Sequence, residues 1–361
     1  MTKYVTRMML GLVASLSAVV VAVLVGAAGA GVEAVAAEEE GDIPKVVQPA
    51  PEGGGETSTE EPPAPMPDLD RSDIIHVTGG PDYRYVTVTR QRDTLFRYCL
   101  RAARYKPYVQ QFPSPSGVEV LADAPPDHPH HHGLMFAVGV DDVDFWVENE
   151  TPGRQVLRNI NEDVYEDKGR YSVTHVLDWF SGDNRTFLAR ETRTIILGAD
   201  LIPNARTLVW KTDLELPPDR KEIKLWGRHY FGLGMRMAEA MDKNGTFLAE
   251  GGSEGQVVRG DERLRPGKWC AYVASAGDKQ VTVAMFDHPL NRRRTLWFTM
   301  AKPFAYMAAS LNLHQKPVTL KQGDKLSLLY GIVVWDGAQP AETIQEMYEG
   351  WLKAVILDKD V

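Results

Sequence analysis

Val318-Thr319-Leu320-Lys321-Gln322-Gly323-Asp324-Lys325-Leu326 reads as two alternating arms around a Gln-Gly-Asp turn, and the second arm continues as a long apolar run to Val334. A short glycine-bearing break between such arms is a hairpin signal. The same pattern recurs upstream. Turn pairs at Ser181-Gly182 and Ala276-Gly277-Asp278 sit between strand-like runs at Tyr171–Leu177, Thr186–Leu197, Ala205–Leu214, Trp269–Ala274 and Gln280–Phe286. Further runs are Tyr85–Thr89, Gly117–Leu121, Leu134–Val138, Ile223–Tyr230 and Leu296–Met300. Helical periodicity appears once, after Pro340, where Ile344, Met347, Tyr348, Trp351 and Leu352 share a face and Pro340 suits a first-turn position. The expectation is an all-β body over residues 71–361 with a C-terminal helix at 340–354. Its length exceeds an immunoglobulin-sized sandwich of ~100 residues, so the body is one large β-sandwich or two fused ones.

Lys3 and Arg7 precede an uncharged stretch from Met8 to Val32, and small-residue triplets follow at Ala28-Gly29-Ala30 and Ala34-Val35-Ala36. Charge, apolar run and A-x-A in that order read as a secretory signal. A span of roughly 20 residues also crosses a bilayer, so residues 1–37 are either a signal peptide or an N-terminal anchor. The rest of the chain is then expected outside the cytoplasm: periplasmic, secreted, or membrane-anchored through that segment alone. Residues 38–70 hold seven prolines, a Gly53-Gly54-Gly55 run and ten acids against one lysine, the composition of a disordered acidic linker. That linker accounts for the net charge of −9. The remaining body is nearly neutral, which argues against a nucleic-acid partner, since that requires a basic face. With only Cys99 and Cys270, neither a disulfide scaffold nor a CxxC zinc site is available, and a single bridge stays open.

The densest local chemistry is Asp127-His128-Pro129-His130-His131-His132-Gly133-Leu134, four of the nine histidines in five positions. Imidazole serves both as a metal ligand and as an acid or base near neutral pH. In an extended chain His128, His130 and His132 share one face and His131 takes the other. An H-x-H pair would give two metal ligands, with others drawn from His229, His288, Glu148 or Glu191. Nothing in the spacing selects among these, and no cofactor is specified. A second group, Trp226-Gly227-Arg228-His229-Tyr230-Phe231-Gly232, embeds Arg and His among aromatics. That suits stacking on a sugar ring with Arg on an acid group, or simply a strand with Arg228 and Tyr230 outward. In Phe286-Asp287-His288-Pro289 the carboxylate would orient the imidazole, or the segment is an Asp-x-Pro turn. Gly251-Gly252-Ser253-Glu254-Gly255 matches G-x-S-x-G but no helical pattern follows, so a nucleophile elbow is set aside. Phosphate-loop, Rossmann and H-E-x-x-H patterns are absent.

Several of these stretches together resemble a bacterial family labelled PmoA-like, or methane oxygenase. They are Lys106-Pro107-Tyr108, Asp127 to Leu134 with Asp144-Phe145-Trp146, Glu191-Thr192-Arg193-Thr194, Gly232-Leu233-Gly234 with Arg236, Lys268-Trp269-Cys270, Phe286 to Pro289, and Trp335-Asp336-Gly337. In that family arginine commonly stands where His132 stands here. Particulate methane oxygenase is an integral-membrane copper enzyme, and this sequence has no apolar span after residue 32, so methane oxidation is not carried over. The 318–326 hairpin also resembles the closing hairpin of sugar mutarotase-type β-supersandwiches. That resemblance implies a galactose-mutarotase-like fold and a saccharide ligand, by analogy.

Two functional readings follow, with a weaker third. In the first the protein is a sugar-active enzyme of epimerase, lyase or hydrolase type. His128, His130, His131, Arg228 and His229 are then catalytic, one imidazole removing a proton and another returning it while Arg stabilises oxygen charge. Trp146, Trp226, Asp287 and His288 would hold the substrate. In the second it is a non-catalytic carbohydrate-binding or envelope protein with Trp146, Trp226 and Trp269 as platforms. The third is a metal-binding protein using His128, His130 and a distant ligand. The enzyme requires Arg228 or His229 near the histidine block in a concave pocket; the binding module requires aromatics along an open face.

Overall fold

The arms around Gln322-Gly323-Asp324 do form strands, but they enter different sheets. In the computed structural model, which describes residues 73–79, 84–90, 93–100 and 105–357 apart from 149, 166–169 and 203, the strands make three antiparallel sheets. The expected signal or anchor (1–37) and linker (38–70) lie outside the described residues.

The first sheet runs in the order β1 (Asp73–Gly79), β2 (Arg84–Arg90), β3 (Asp93–Cys99), β4 (Tyr108–Gln111), β5 (Leu134–Ala137), β13 (Gly232–Arg236), β20 (Tyr306–Ser310), β19 (Leu296–Met300), β16 (Glu262–Pro266), β15 (Gln256–Arg259). The second runs β14 (Thr246–Ala249), β17 (Trp269–Ala276), β18 (Lys279–Asp287), β22 (Lys325–Asp336), β11 (Ala205–Glu215), β10 (Phe187–Ile202), β9 (Arg170–Phe180), β8 (Arg154–Tyr165). A small third sheet holds β21 (Val318–Lys321), β12 (Glu222–Trp226), β6 (Gly139–Val140) and β7 (Val143–Asp144). The fold is therefore an all-β sandwich with one C-terminal helix, α1 (Ala341–Leu357).

Strand alternation explains the layers. On β22 the residues Tyr330, Ile332 and Val334 enter the main core, while Val333 and Trp335 face the other way. On β18 Val281, Val283 and Met285 enter the core, and Ala284 and Phe286 turn outward. The outward set is covered by Ile344, Tyr348 and Trp351 of α1, the face expected from the helical period. Gly331 admits this packing, since a Cβ there would lie 2.8 Å from Trp351 Cε2. Pro340 precedes the helix and its carbonyl accepts the Ile344 N–H at 3.2 Å.

Between the two large sheets lies a fully buried polar cluster. Arg193 donates to both oxygens of Glu191 at 2.8 Å, to the Tyr98 hydroxyl and the Pro107 carbonyl at 3.0 Å, and to Gln155 at 3.2 Å. Trp179 and Thr212 also donate to Glu191. A charge pair this well hydrogen-bonded is a tie between sheets. Glu191 has no accessible oxygen left to serve as a metal ligand.

Two expectations are corrected and one open point is closed. Gly117–Leu121 is not a strand, and only Leu121 forms a bridge, to Met237. The Ile223–Tyr230 run stops at Trp226, where a turn closed by Phe231 N–H on the Arg228 carbonyl takes over. Cys99 and Cys270 are buried free thiols, with burial raising their pKa values to about 11 and about 12.

Candidate functional site

The first sheet turns one face to the core and carries a cavity on the other. Leu233 and Met235 of β13 and Met307 and Ala309 of β20 point to one face, and by alternation Gly234, Arg236 and Tyr306 point to the other, where Tyr306 is reached from the cavity. Gly234 makes room there: a Cβ at this position would sit 1.9 Å from Tyr306 Oη and 2.8 Å from Trp146 Cη2. Above this face is a cavity of about 490 Å³. Phe298, Met300 and Tyr306 line it from the central strands, Arg259 and Glu262 from the ends of β15 and β16, and loops supply the rest, including His128, His130, His131, Arg228, Tyr230, Asp261, Lys302 and Phe304.

The histidine block is a turn, not an extended segment, which corrects the expected facing. Proline at the second position favours a β-turn, and the His131 N–H donates to the His128 carbonyl at 2.9 Å across Pro129 and His130. The turn brings the His128 and His131 rings into a stack, 4.7 Å apart and 16° from parallel, with the His130 ring 4.6 Å from His131. His131 also lies 5.0 Å from the Tyr306 ring. An antiparallel bridge between Asp123 and His132 closes the loop. Gly133 ends it because a Cβ there would meet the Val109 carbonyl oxygen at 2.1 Å.

Electrostatics then divide the four imidazoles. Burial, followed by Lys106 and neighbouring imidazoles, lowers the pKa of His130 to about 4. Burial and the adjacent His130 and His128 lower His131 to about 2. Both rings are neutral at pH 7. His132 points away into a chain of charges, donating from Nδ1 to Asp123 at 2.8 Å and from Nε2 to Glu148 at 2.9 Å. Lys106, itself buried, donates to the same Glu148 oxygen at 2.9 Å. Burial opposes charge on His132, yet these two carboxylate bonds outweigh it and raise its pKa. His128 is held by Asp127 at 3.1 Å, and Asp127 lies 3.4 Å from the guanidinium of Arg236, which stacks on Phe304 at 3.7 Å.

Of the residues singled out in the sequence, His128, His130, His131 and Arg228 line one cavity. The others lie elsewhere. His229 sits just behind the lining, its Nε2 3.3 Å from Glu262 Oε2 and its ring against Phe298 and His314. Trp146 is fully buried beneath the cavity, stacked on Phe231, so it offers no open platform. Trp226 packs over Gly139 and Phe231 outside the lining. Trp269 is buried under α1, its Nε1 donating to Gln345. Asp287 and His288 form a turn away from the cavity. Asp287 accepts from Asn291 at 2.7 Å and from the Thr295 N–H at 3.2 Å, and His288 Nδ1 accepts the Leu290 N–H at 3.2 Å beside Trp351. Among the described residues no group of three or more His, Cys, Asp or Glu side chains is arranged to hold a metal ion.

Sequence reasoning did not find Tyr306, Phe304, Asp261, Glu262 or Lys302. The signals were two turns. Arg259-Gly260-Asp261-Glu262 joins β15 to β16, and Lys302-Pro303, a cis peptide bond, joins β19 to β20. Asp261 links them, its Oδ2 accepting the N–H groups of Ala301 and Lys302 at 2.7 and 2.9 Å.

Three cavity side chains are almost wholly buried yet each carries an unpartnered polar atom: His131 Nδ1, Glu262 Oε2 and Tyr306 Oη, with residue exposures of 7%, 6% and 2%. Buried polar groups without partners are costly, and these three atoms share one cavity.

Solved structures with similar folds include a GH36 α-galactosidase, AgaB, from Geobacillus stearothermophilus, at 11% identity and a TM-score of 0.43, covering 73% of this chain and 41% of that one. A putative aldose 1-epimerase from Klebsiella pneumoniae matches at 10% identity and a TM-score of 0.42, covering 80% of this chain and 88% of that one. The chain thus spans about two fifths of the galactosidase. Among curated proteins no sequence matches. Residues 85–349, which include every residue of the cavity, match a family of unknown function, DUF6807, and the chain belongs to that family.

Proposed function

We propose that this protein is an exported saccharide-binding protein whose ligand seats in the cavity beside the His128–His131 turn, with His130 as the group that takes up a proton if the bound sugar is transformed. One observation carries the reading: neutral imidazoles, Arg228, and the buried unpartnered atoms of His131, Glu262 and Tyr306 meet in one aromatic-lined cavity of about 490 Å³. A sugar presents apolar ring faces to Phe298, Phe304 and Tyr306, and hydroxyls that both donate and accept to the polar atoms. A neutral imidazole accepts at one nitrogen and donates at the other, which matches a hydroxyl.

Arg228 and the histidine block line a concave cavity, whereas the tryptophans expected to form an open stacking face are buried or outside it. This supports chemistry at the pocket over a flat binding platform. The PmoA-like resemblance supplies no reaction to this account. Export rests on Lys3, Arg7 and the uncharged run Met8–Val32. Among the described residues no helix is long and apolar enough to cross a membrane.

The test is a calorimetric screen of the chain against mono- and oligosaccharides, wild type beside His130→Ala. Binding by the wild type that weakens about tenfold in the variant is expected. Equal binding by both proteins, or by neither, would remove the cavity from consideration.

A further inference from the structure

The charges around the cavity do not cancel, and the imbalance indicates what kind of saccharide enters. Two acids line it, and both are engaged. Asp261 accepts two backbone N–H groups, and Glu262 Oε1 accepts from Arg259 at 2.6 Å. That contact also neutralises Arg259. Asp261 keeps its negative charge; against it stand Arg228 and Lys302, which leaves the lining a net of one positive charge, and neither cation's side chain has a hydrogen-bond or ion-pair partner among the described residues. Exposed cations are ordinarily just solvated. These two border a concave apolar cavity, where low-dielectric walls strengthen the field of an unbalanced charge.

A second requirement comes from beneath them. Glu262 Oε2 is buried with no contact but His229 Nε2 at 3.3 Å, too poorly aimed for a strong hydrogen bond, and Tyr306 Oη is unpartnered. A carboxylate oxygen there calls for a hydroxyl donor and would repel an anion; the two cations call for an anion. One molecule meets both demands only if it carries hydroxyls at one end and an acid group at the other.

Resting on the saccharide reading above, we propose that the ligand is an anionic saccharide, a uronate or sulfated sugar, whose acid group is taken by Arg228 and Lys302 while its hydroxyls meet Glu262 and Tyr306. A planar guanidinium recognises carboxylate or sulfate oxygens in pairs, and the lysine adds a point charge.

The test titrates the full chain calorimetrically with matched neutral, uronate and sulfated oligosaccharides of the same length, at low and high salt. One or both acidic sets bind about tenfold or more tightly than the neutral set, equivalent to ~1.4 kcal/mol, and salt erodes that preference. Arg228→Gln and Lys302→Gln each reduce the preference of the acidic sets over the neutral set, while Lys353→Gln on the exposed face of α1 leaves all three affinities unchanged. Neutral sugars binding as tightly as acidic ones, or a preference that survives both substitutions, overturns the anionic assignment and leaves the saccharide reading standing. Absence of binding in all three sets overturns both.

Discussion

His132 and His130 are two positions apart and carry opposite protonation states, which is a matter of partners rather than of residue type. Both nitrogens of His132 face carboxylates, which only accept, so both must donate and the ring is cationic. A guanidinium can bridge Asp123 and Glu148 in the same way. His132→Leu leaves the two carboxylates without the cation between them and is expected to cost about 3 kcal/mol in urea denaturation, whereas His132→Arg retains most of the stability. A leucine variant as stable as wild type would refute the bridge. The pH dependence has two opposing parts. His132 has a raised folded pKa, so its contribution is complete below 6.5 and is lost as pH rises through that raised value. His130 and His131 have depressed values of about 4 and about 2, so stability linked to them is complete above 6.5 and falls as pH drops toward 4.

Among the elements, hairpins were the most legible because alternation and turn residues are local. β11, β17, β18, β21 and β22 follow their sequence runs closely, as does α1, although β21 and β22 part into different sheets instead of pairing as a hairpin. Misreadings fell where a glycine or proline redirected an apparently strand-like run. Gly227 allows the chain to leave β12 after Trp226, a Cβ there meeting Phe231 Cβ at 2.8 Å, and Pro129 converts the histidine run into a turn. The docking of α1 onto the second sheet is an element-scale claim with its own test. Trp351→Ala removes a ring seated against Gly331, Phe286 and Tyr348 and is expected to destabilise the protein by about 3 kcal/mol in thermal or denaturant unfolding. The cavity lies on the other sheet, so saccharide affinity should be unchanged; a parallel loss of affinity would show that the helix supports the site.

At the scale of the whole molecule the site is assembled by sheet order, which no local pattern encodes. The histidine turn was visible as a cluster in the sequence, but Glu262, Lys302 and Tyr306 lie more than a hundred residues beyond it. They reach it because β5, β13, β20, β19 and β16 are successive neighbours in the first sheet. Asp287 and His288 were equally conspicuous in sequence and stand in a turn beside α1, stabilising that corner through Asn291, Thr295 and Trp351. Conspicuous residue types therefore named His128, His130, His131 and Arg228 of the cavity lining, and long-range pairing decided which other residues meet them.

The central claim is that a saccharide occupies the cavity against the histidine turn, and histidine NMR during a saccharide titration addresses it most directly. The account predicts saturable shifts of the His128, His130 and His131 ring resonances, with His175, buried between the sheets, and His288, beside α1, unmoved. Binding that leaves the three cavity imidazoles unchanged, or that shifts His175 and His288 to the same extent, would contradict it.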